Sequence, residues 1–294
     1  MTNSPTSRVD LHVHSTYSEG ALTCRQLLEQ AQRHGIGLLS LTDHNVIDGV
    51  PELVQLAPRF GVEAIPGVEV YVRTSSRNLH LLGYGFRLGG TPLSRALRTV
   101  QAEHRHAVEH ILIGMQRHGF QLDADRVLNG ASRYPGAVHI LAELNRSAAN
   151  RPLIEHLAGS ADYATTVHEL FGTDRPFALP LHELPAAAAI GMIRESGGVA
   201  VLAHPGQQLT FEEDSTILEL AAAGLQGIEA LTPYHSWRQI EHYLALATQN
   251  SLVVTGGSDY HADLPPTLGI RNQWDYFHVP GEVITPLRTL LSIK

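Results

Sequence analysis

The chain has 294 residues, 43% of them hydrophobic and 17% charged, which is ordinary for a globular protein and enough for one large α/β domain or a barrel carrying an insertion. Its formal net charge of −8 argues against a general nucleic-acid-binding surface, because phosphate backbones reward positive charge. Cys24 is the only cysteine and Lys294 the only lysine, which excludes disulfide frameworks, iron–sulfur clusters, Cys-rich zinc sites, Schiff-base chemistry and the phosphate-loop lysine, whereas histidine occurs 18 times.

The opening MTNSPTSRVD is polar and lacks the apolar core of a signal peptide, and no apolar run reaches membrane-spanning length, so a cytoplasmic location is expected. Residues 9–13 read as a first strand, with His12 and His14 at its end. An amphipathic helix over 22–34 leads to a second strand over 37–41, followed directly by Asp43 and His44. A helix over 50–60 and a strand over 62–65 precede Glu69 in the segment AIPGVEV, and a strand over 79–84 contains His80. From Pro92 to Pro180 strand patterns stop, and helices are expected over 94–117, 123–128, 138–145, 153–157 and 166–170. The alternation then resumes. A helix over 186–196 precedes the strand 199–203 that ends at His204, and a helix over 217–223 precedes the strand 227–231 that carries Glu229. A last helix over 237–249 leads to the strand 252–255, with Asp259 and His261 just beyond it.

Strand and helix alternating in this way imply a mainly parallel sheet. Seven such strands, without a nucleotide-binding glycine pattern after the first, favour a closed or distorted β/α barrel over an open doubly wound sheet. The predicted organisation is a barrel from 1–91 and 181–294 with a helical insertion over 92–180, serving as a cap that reads substrate. His12 and His14, at i and i+2 on a strand, project to one face. Ligand-type residues recur at or near nearly every strand end, and in a β/α barrel those ends meet at one mouth. Imidazole and carboxylate in that pattern suit Zn, Mn or Fe. Two patterns carry no such signal. Gly83, Gly85 and Gly89 lack dinucleotide-loop spacing, and His106 with His110 read as a solvated helix face.

The fragments DLHVHSTYSEG, LTDHN, PGVEV, AHPG and GSDYH, in this order, resemble the successive motifs of the PHP (polymerase and histidinol phosphatase) superfamily over nearly the whole chain. Size and insertion look like the branch that dephosphorylates nucleoside 3′,5′-bisphosphates such as pAp, with relatives that remove nucleotides from short RNA 5′ ends. The resemblance implies a distorted (β/α)7 barrel and a trinuclear centre. In it His12, His14, Glu69 and Asp259 would hold one ion. Glu69 would bridge to a second held by His80 and His204, and His44, His261 and Glu19 would hold a third. Glu19 is a departure, since the family usually has Asp there; Ala137 is another, standing where Arg is typical.

The expected reaction is hydrolysis of a phosphate monoester by a water activated at two or three divalent ions, on a small phosphorylated substrate, most simply a nucleotide, or a short RNA end. His235, at the barrel mouth and matching a histidine of the family, is the expected general acid, with a structural histidine as its alternative role. Asp43 is expected to orient a ligand or a water, with a helix N-cap as its alternative role. The resemblance implies that Arg105 and His139 contact the phosphate or nucleotide of the substrate. The competing readings are an amidohydrolase-like enzyme acting on another bond and a non-catalytic metal-binding module.

Overall fold

The computed structural model describes residues 8–160, 162–262 and 273–292, so most of the polar opening segment lies outside it. The chain folds into two compact units, one built from residues up to Leu97 and from Glu183 onward, the other from Arg98 to His182.

The first unit is a barrel-shaped sheet. Its strands are β1 (Arg8–Val13), β2 (Ile36–Leu41), β3 (Glu63–Arg73), β4 (Asn78–Tyr84), β5 (Leu184–Pro185), β6 (Val199–Leu202), β7 (Gly227–Leu231), β8 (Val253–Gly256) and β9 (Val279–Pro280). The order across the sheet is β8-β7-β6-β4-β3-β2-β1-β9, with the short β5 paired to β3. The far edges approach closure beyond β8, where Tyr260 bridges to Val13; His14 N–H donates to Tyr260 O at 2.8 Å and Tyr260 N–H to His12 O at 3.2 Å. The distorted β/α barrel with seven main strands, expected from the sequence, is the fold found.

Its strands are not all parallel. β4 runs antiparallel to both β3 and β6. The cause is the short turn after Arg73, where Thr74 N–H donates to Arg77 O at 2.8 Å, far too short a connection for a parallel crossover. β3 is also longer than expected, continuing through PGVEVYVR to Arg73.

Period-two alternation sorts the strand residues into two buried layers. Val68, Val70, Leu79, Leu81, Ala200, Leu202 and Ile228 join Ile190 and Ile193 of helix α8 (Ala186–Glu195) in one cluster. Their alternates Ile65, Leu82, Tyr84, Val199 and Val201 form another. Glu69, His80 and Glu229 fall on this second, inner face by register. A third cluster packs Leu27, Leu28 and Ala31 of α1 (Cys24–Arg33) on Leu39 and Leu41, each buried leucine contributing roughly 1.5–3 kcal/mol. Helix α1 starts where it does because Thr23 and Gln26 form a capping box.

The second unit is helical among its described residues. It holds most of α3 (Pro92–Arg117) with α4 (Ala124–Leu128), α5 (Ala137–Leu144), α6 (Arg151–Ala158) and α7 (Tyr163–Phe171), around Val108, Leu112, Met115, Ile140, Leu144 and Leu170. The boundary falls inside α3 because Leu93 and Leu97, in its first turns, belong to the barrel's core. No helix of the described residues is long and apolar enough to cross a membrane.

Candidate metal centre

Seven strands of the barrel, all but the short β5 and β9, carry polar side chains or lead into segments that carry them to a common point. β1 supplies His12 and, one residue past its end, His14, both fully buried. The chain after β2 continues beside β3, where Asn45 N–H donates to Glu69 O at 2.7 Å and His44 bridges Glu69. His80 sits early in β4 and still reaches the same place, because that strand runs in reverse. His204 follows β6 and Asp259 follows β8, both in left-handed backbone (φ 50° and 54°) that costs a non-glycine residue about 1–3 kcal/mol. Such strain survives where the surroundings dictate it. The loop after β1 brings Glu19, tied down by Ala21 N–H donating to His261 O at 2.9 Å.

Glu69 is the hub. Its Oε2 lies 3.0 Å from His12 Nε2, 3.2 Å from His14 Nε2 and 3.1 Å from His44 Nδ1. Its Oε1 lies 2.8 Å from His80 Nδ1 and 3.0 Å from His204 Nε2. Asp259 Oδ1 is 3.0 Å from His14 Nε2 and 3.3 Å from His12 Nε2, and Glu19 Oε1 is 3.1 Å from His44 Nε2. His261 stacks on His14 with ring centroids 4.1 Å apart. All nine residues that the resemblance implies as metal ligands therefore converge. Ligand-type atoms lie within 4.8 Å of one another in three sets: His12, His14, Glu69 and Asp259; His44, Glu69 and His80; and His14, His44 and His261. The first equals the set expected for one ion. The other two depart from the expected grouping: His44 joins Glu69 and His80 in place of His204, and His14 joins His44 and His261 in place of Glu19.

The electrostatics call for positive charge. Burial alone would raise the carboxyl pKa of Glu69, yet His44, His12 and His80 hold it well below the ordinary range; Asp259, partly buried, is held down by His12 and His261. Several buried atoms make no hydrogen bond within the described residues: both ring nitrogens of His14, His44 Nδ1, His204 Nδ1 and Asp259 Oδ1. Orphaned buried groups of this kind are costly unless something pairs with them. Borderline donors, buried, convergent and short of a partner, fit divalent cations.

A supporting layer is invisible in the sequence. Asp10 is buried two residues before His12, and its carboxylate accepts from His12 N–H and Ser258 N–H at 3.0 Å each, from Trp274 Nε1–H at 2.6 Å and from the Ser258 hydroxyl. It pins the segment bearing Asp259 onto β1. The only hint is one acid inside an apolar strand. Gly257 is needed for the same approach, since a Cβ there would stand 2.3 Å from His12 Cβ.

Asp43 is likewise a buried anchor. It accepts from Ser15 N–H at 2.8 Å, Ser15 Oγ–H at 2.7 Å and Ser18 Oγ–H at 2.6 Å, which fixes the loop that carries Glu19. It is no helix cap: α2 (Val50–Leu56) begins after Gly49.

The remaining expected site residues are placed differently. His235 Nδ1–H donates to Ala230 O at 2.9 Å, and its Nε2 accepts from Gly206 N–H at 3.0 Å. Backbone engages both nitrogens, so the ring clasps two loops; acting as an acid would require releasing Gly206. Arg105 and His139 both lie in the helical unit. Arg105 donates to Leu128 O and, at 2.9 Å, to Asn129 Oδ1 at the end of α4, and His139 Nδ1 accepts from Gly136 N–H at 3.0 Å at the start of α5.

Residues 10–171 match the PHP domain family. The phosphoribosyl 1,2-cyclic phosphate 1,2-diphosphodiesterase of Eggerthella lenta is 34% identical over 89% of this chain and 98% of its own. The 3′,5′-nucleoside bisphosphate phosphatase of Chromobacterium violaceum is 29% identical over 88% of this chain and 93% of its own. The structure of an amidohydrolase from the same organism, with bound sulfate and no metal, superposes with a TM-score of 0.73 at 27% identity, covering 92% of this chain and 95% of that one.

Proposed function

Because the chain belongs to the PHP domain family and is a metal-dependent phosphoesterase, we propose that it hydrolyses the phosphate monoester of a nucleotide, a 3′,5′-bisphosphate or a short oligonucleotide end. The observation that carries this reading is the set of five imidazoles within 3.2 Å of the two Glu69 oxygens, split three to Oε2 and two to Oε1. A carboxylate so divided is suited to bridge two sites. In this reading His12, His14, Glu69 and Asp259 hold one ion, Glu69 with His80 and His204 a second, and His44, His261 and Glu19 a third, the metals being Mn, Fe or Zn. Bound there, such ions supply Lewis acidity, lower the pKa of water toward neutrality and offset phosphoryl charge.

The protein's own part is positioning. Asp10 and Gly257 hold the two chain segments that present His12 and Asp259 against each other. Asp43 fixes the loop of Glu19. His14, His44 and Glu69 are withdrawn from solvent, which strengthens every charge interaction made among them. No side-chain nucleophile is called for. Substrate contacts from Arg105 and His139 belong to the same proposal; Arg105→Ala raising KM at unchanged kcat would support them.

A second reading has one specific support: the diphosphodiesterase of E. lenta is more similar to this chain than the bisphosphate phosphatase is, which favours a cyclic phosphodiester as substrate. The test is a panel with the Mn²⁺-loaded protein, comparing pAp, mononucleotides, a 5′-phosphorylated oligoribonucleotide, a sugar 1,2-cyclic phosphate and an aryl phosphate. Release of inorganic phosphate from pAp or the nucleotides supports the first reading. Opening of the cyclic ester without activity on the monoesters would replace it by the second.

A further inference from the structure

Glu229 has no part in the ligand set, yet it is the carboxylate whose position the chemistry explains least. It lies in β7, is fully buried, and places Oε1 and Oε2 at 3.1 and 3.2 Å from the same atom, His12 Nδ1. Among the described residues its hydrogen bonds come from His12 alone. As a stabilising device this is poor: a buried carboxylate loses its hydration, and a single imidazole does not restore it. Apolar replacement of such groups is often neutral or favourable to stability.

We propose that Glu229 is a positioning residue that sets the tautomer of His12, a role resting on the reading of His12 as a ligand. An ionised carboxylate only accepts, so its two oxygens around Nδ1 keep the ring proton on that nitrogen. When the ring is neutral, as a metal ligand must be, the lone pair is then on Nε2, the atom that faces Glu69 Oε2 at 3.0 Å and Asp259 Oδ1 at 3.3 Å. A lone pair directed at two carboxylate oxygens is repulsive unless a positive charge lies among them. Glu229 therefore turns His12 from a surface that carboxylates would hydrogen-bond into one that selects a cation, and it holds the ring plane while doing so. A partner of this kind typically alters metal affinity by roughly 10–100-fold.

The experiment compares parent, Glu229→Gln and Glu229→Leu as full-length protein, stripped of metal and titrated with Mn²⁺ against a competing chelator, with bound manganese counted and melting followed in both states. Glu229→Leu should lose roughly 10–100-fold in affinity for one ion. Glu229→Gln, whose amide oxygen still accepts from Nδ1–H, should lose less. The metal-free Leu variant should melt with the metal-free parent. The proposal is overturned if the Leu variant binds Mn²⁺ like the parent, or if Gln and Leu lose equally while their metal-free melting temperatures fall in step, the pattern of a merely structural group. A parent that retains no manganese would instead overturn the ligand reading of His12.

Discussion

Asp10→Ala is the sharpest structural test of how the centre is held together. Asp10 is no expected ligand, yet its carboxylate collects two backbone N–H groups, one hydroxyl and one indole N–H. Alanine leaves the His12 and Ser258 N–H groups buried and unpaired; the indole retains the Ser258 hydroxyl at 3.2 Å. Each orphaned donor costs roughly 1–3 kcal/mol, offset in part because a buried carboxylate is no longer desolvated. A net loss of about 3 kcal/mol results, or roughly 6–12 °C in melting temperature for a unit of this size. The loss must appear in metal-free protein, since the bonds are internal, and Mn²⁺ retention should fall as well, because Ser258 adjoins Asp259. Asp10→Asn, keeping one acceptor oxygen, should fall between. A metal-free melting shift below about 2 °C for Asp10→Ala would mean that the His12 and Ser258 N–H groups find other partners at little cost.

Glu19→Asp should retain or raise phosphate release under Mn²⁺, since it keeps the carboxylate near His44 with a shorter arm; complete loss would show that this centre is tuned to glutamate. Gly257→Ala should lower activity and manganese content together, because the new Cβ would stand 2.6 Å from His12 N as well as against its side chain; activity close to the parent's would mean that the two segments separate at little cost. In the helical unit, Asp162 caps α7 and its pKa is lowered from 3.8 to about 2 by the Ser160 hydroxyl and Thr165 N–H. A depressed folded-state value stabilises above the unfolded pKa and is lost as pH falls through the folded one. Asp162→Ala should therefore melt below the parent at about pH 7, and the gap should close toward about pH 2; a gap that widens on acidification would reverse the sign.

Much of this was legible because periodicity and ligand type coincide in the chain. Apolar runs of five or six residues ending in His, Asp or Glu identify both the strands and the mouth at which they meet. The reversal of β4 was harder to see, since period-two patterning carries no direction; it follows from the tight turn at Thr74 and Arg77. The roles of Asp10, Gly257 and Glu229 depend on pairings between residues more than 200 positions apart, which no local pattern encodes. His235 shows the converse. Its place after β7 in PYHSW suggested a reactive group, but only the fold reveals that Ala230 and Gly206 engage both its nitrogens.

In the proposed centre, imidazoles and carboxylates from separate strands hold adjacent cations around Glu69. Anomalous diffraction from crystals of the Mn²⁺-loaded protein, recorded near the manganese edge, tests it directly. Two or three peaks about 3.5–4 Å apart are expected, one of them among His12, His14, Glu69 and Asp259 and its neighbour across the Glu69 carboxylate. Manganese found only at surface positions, with those side chains still bonded to one another, would contradict it.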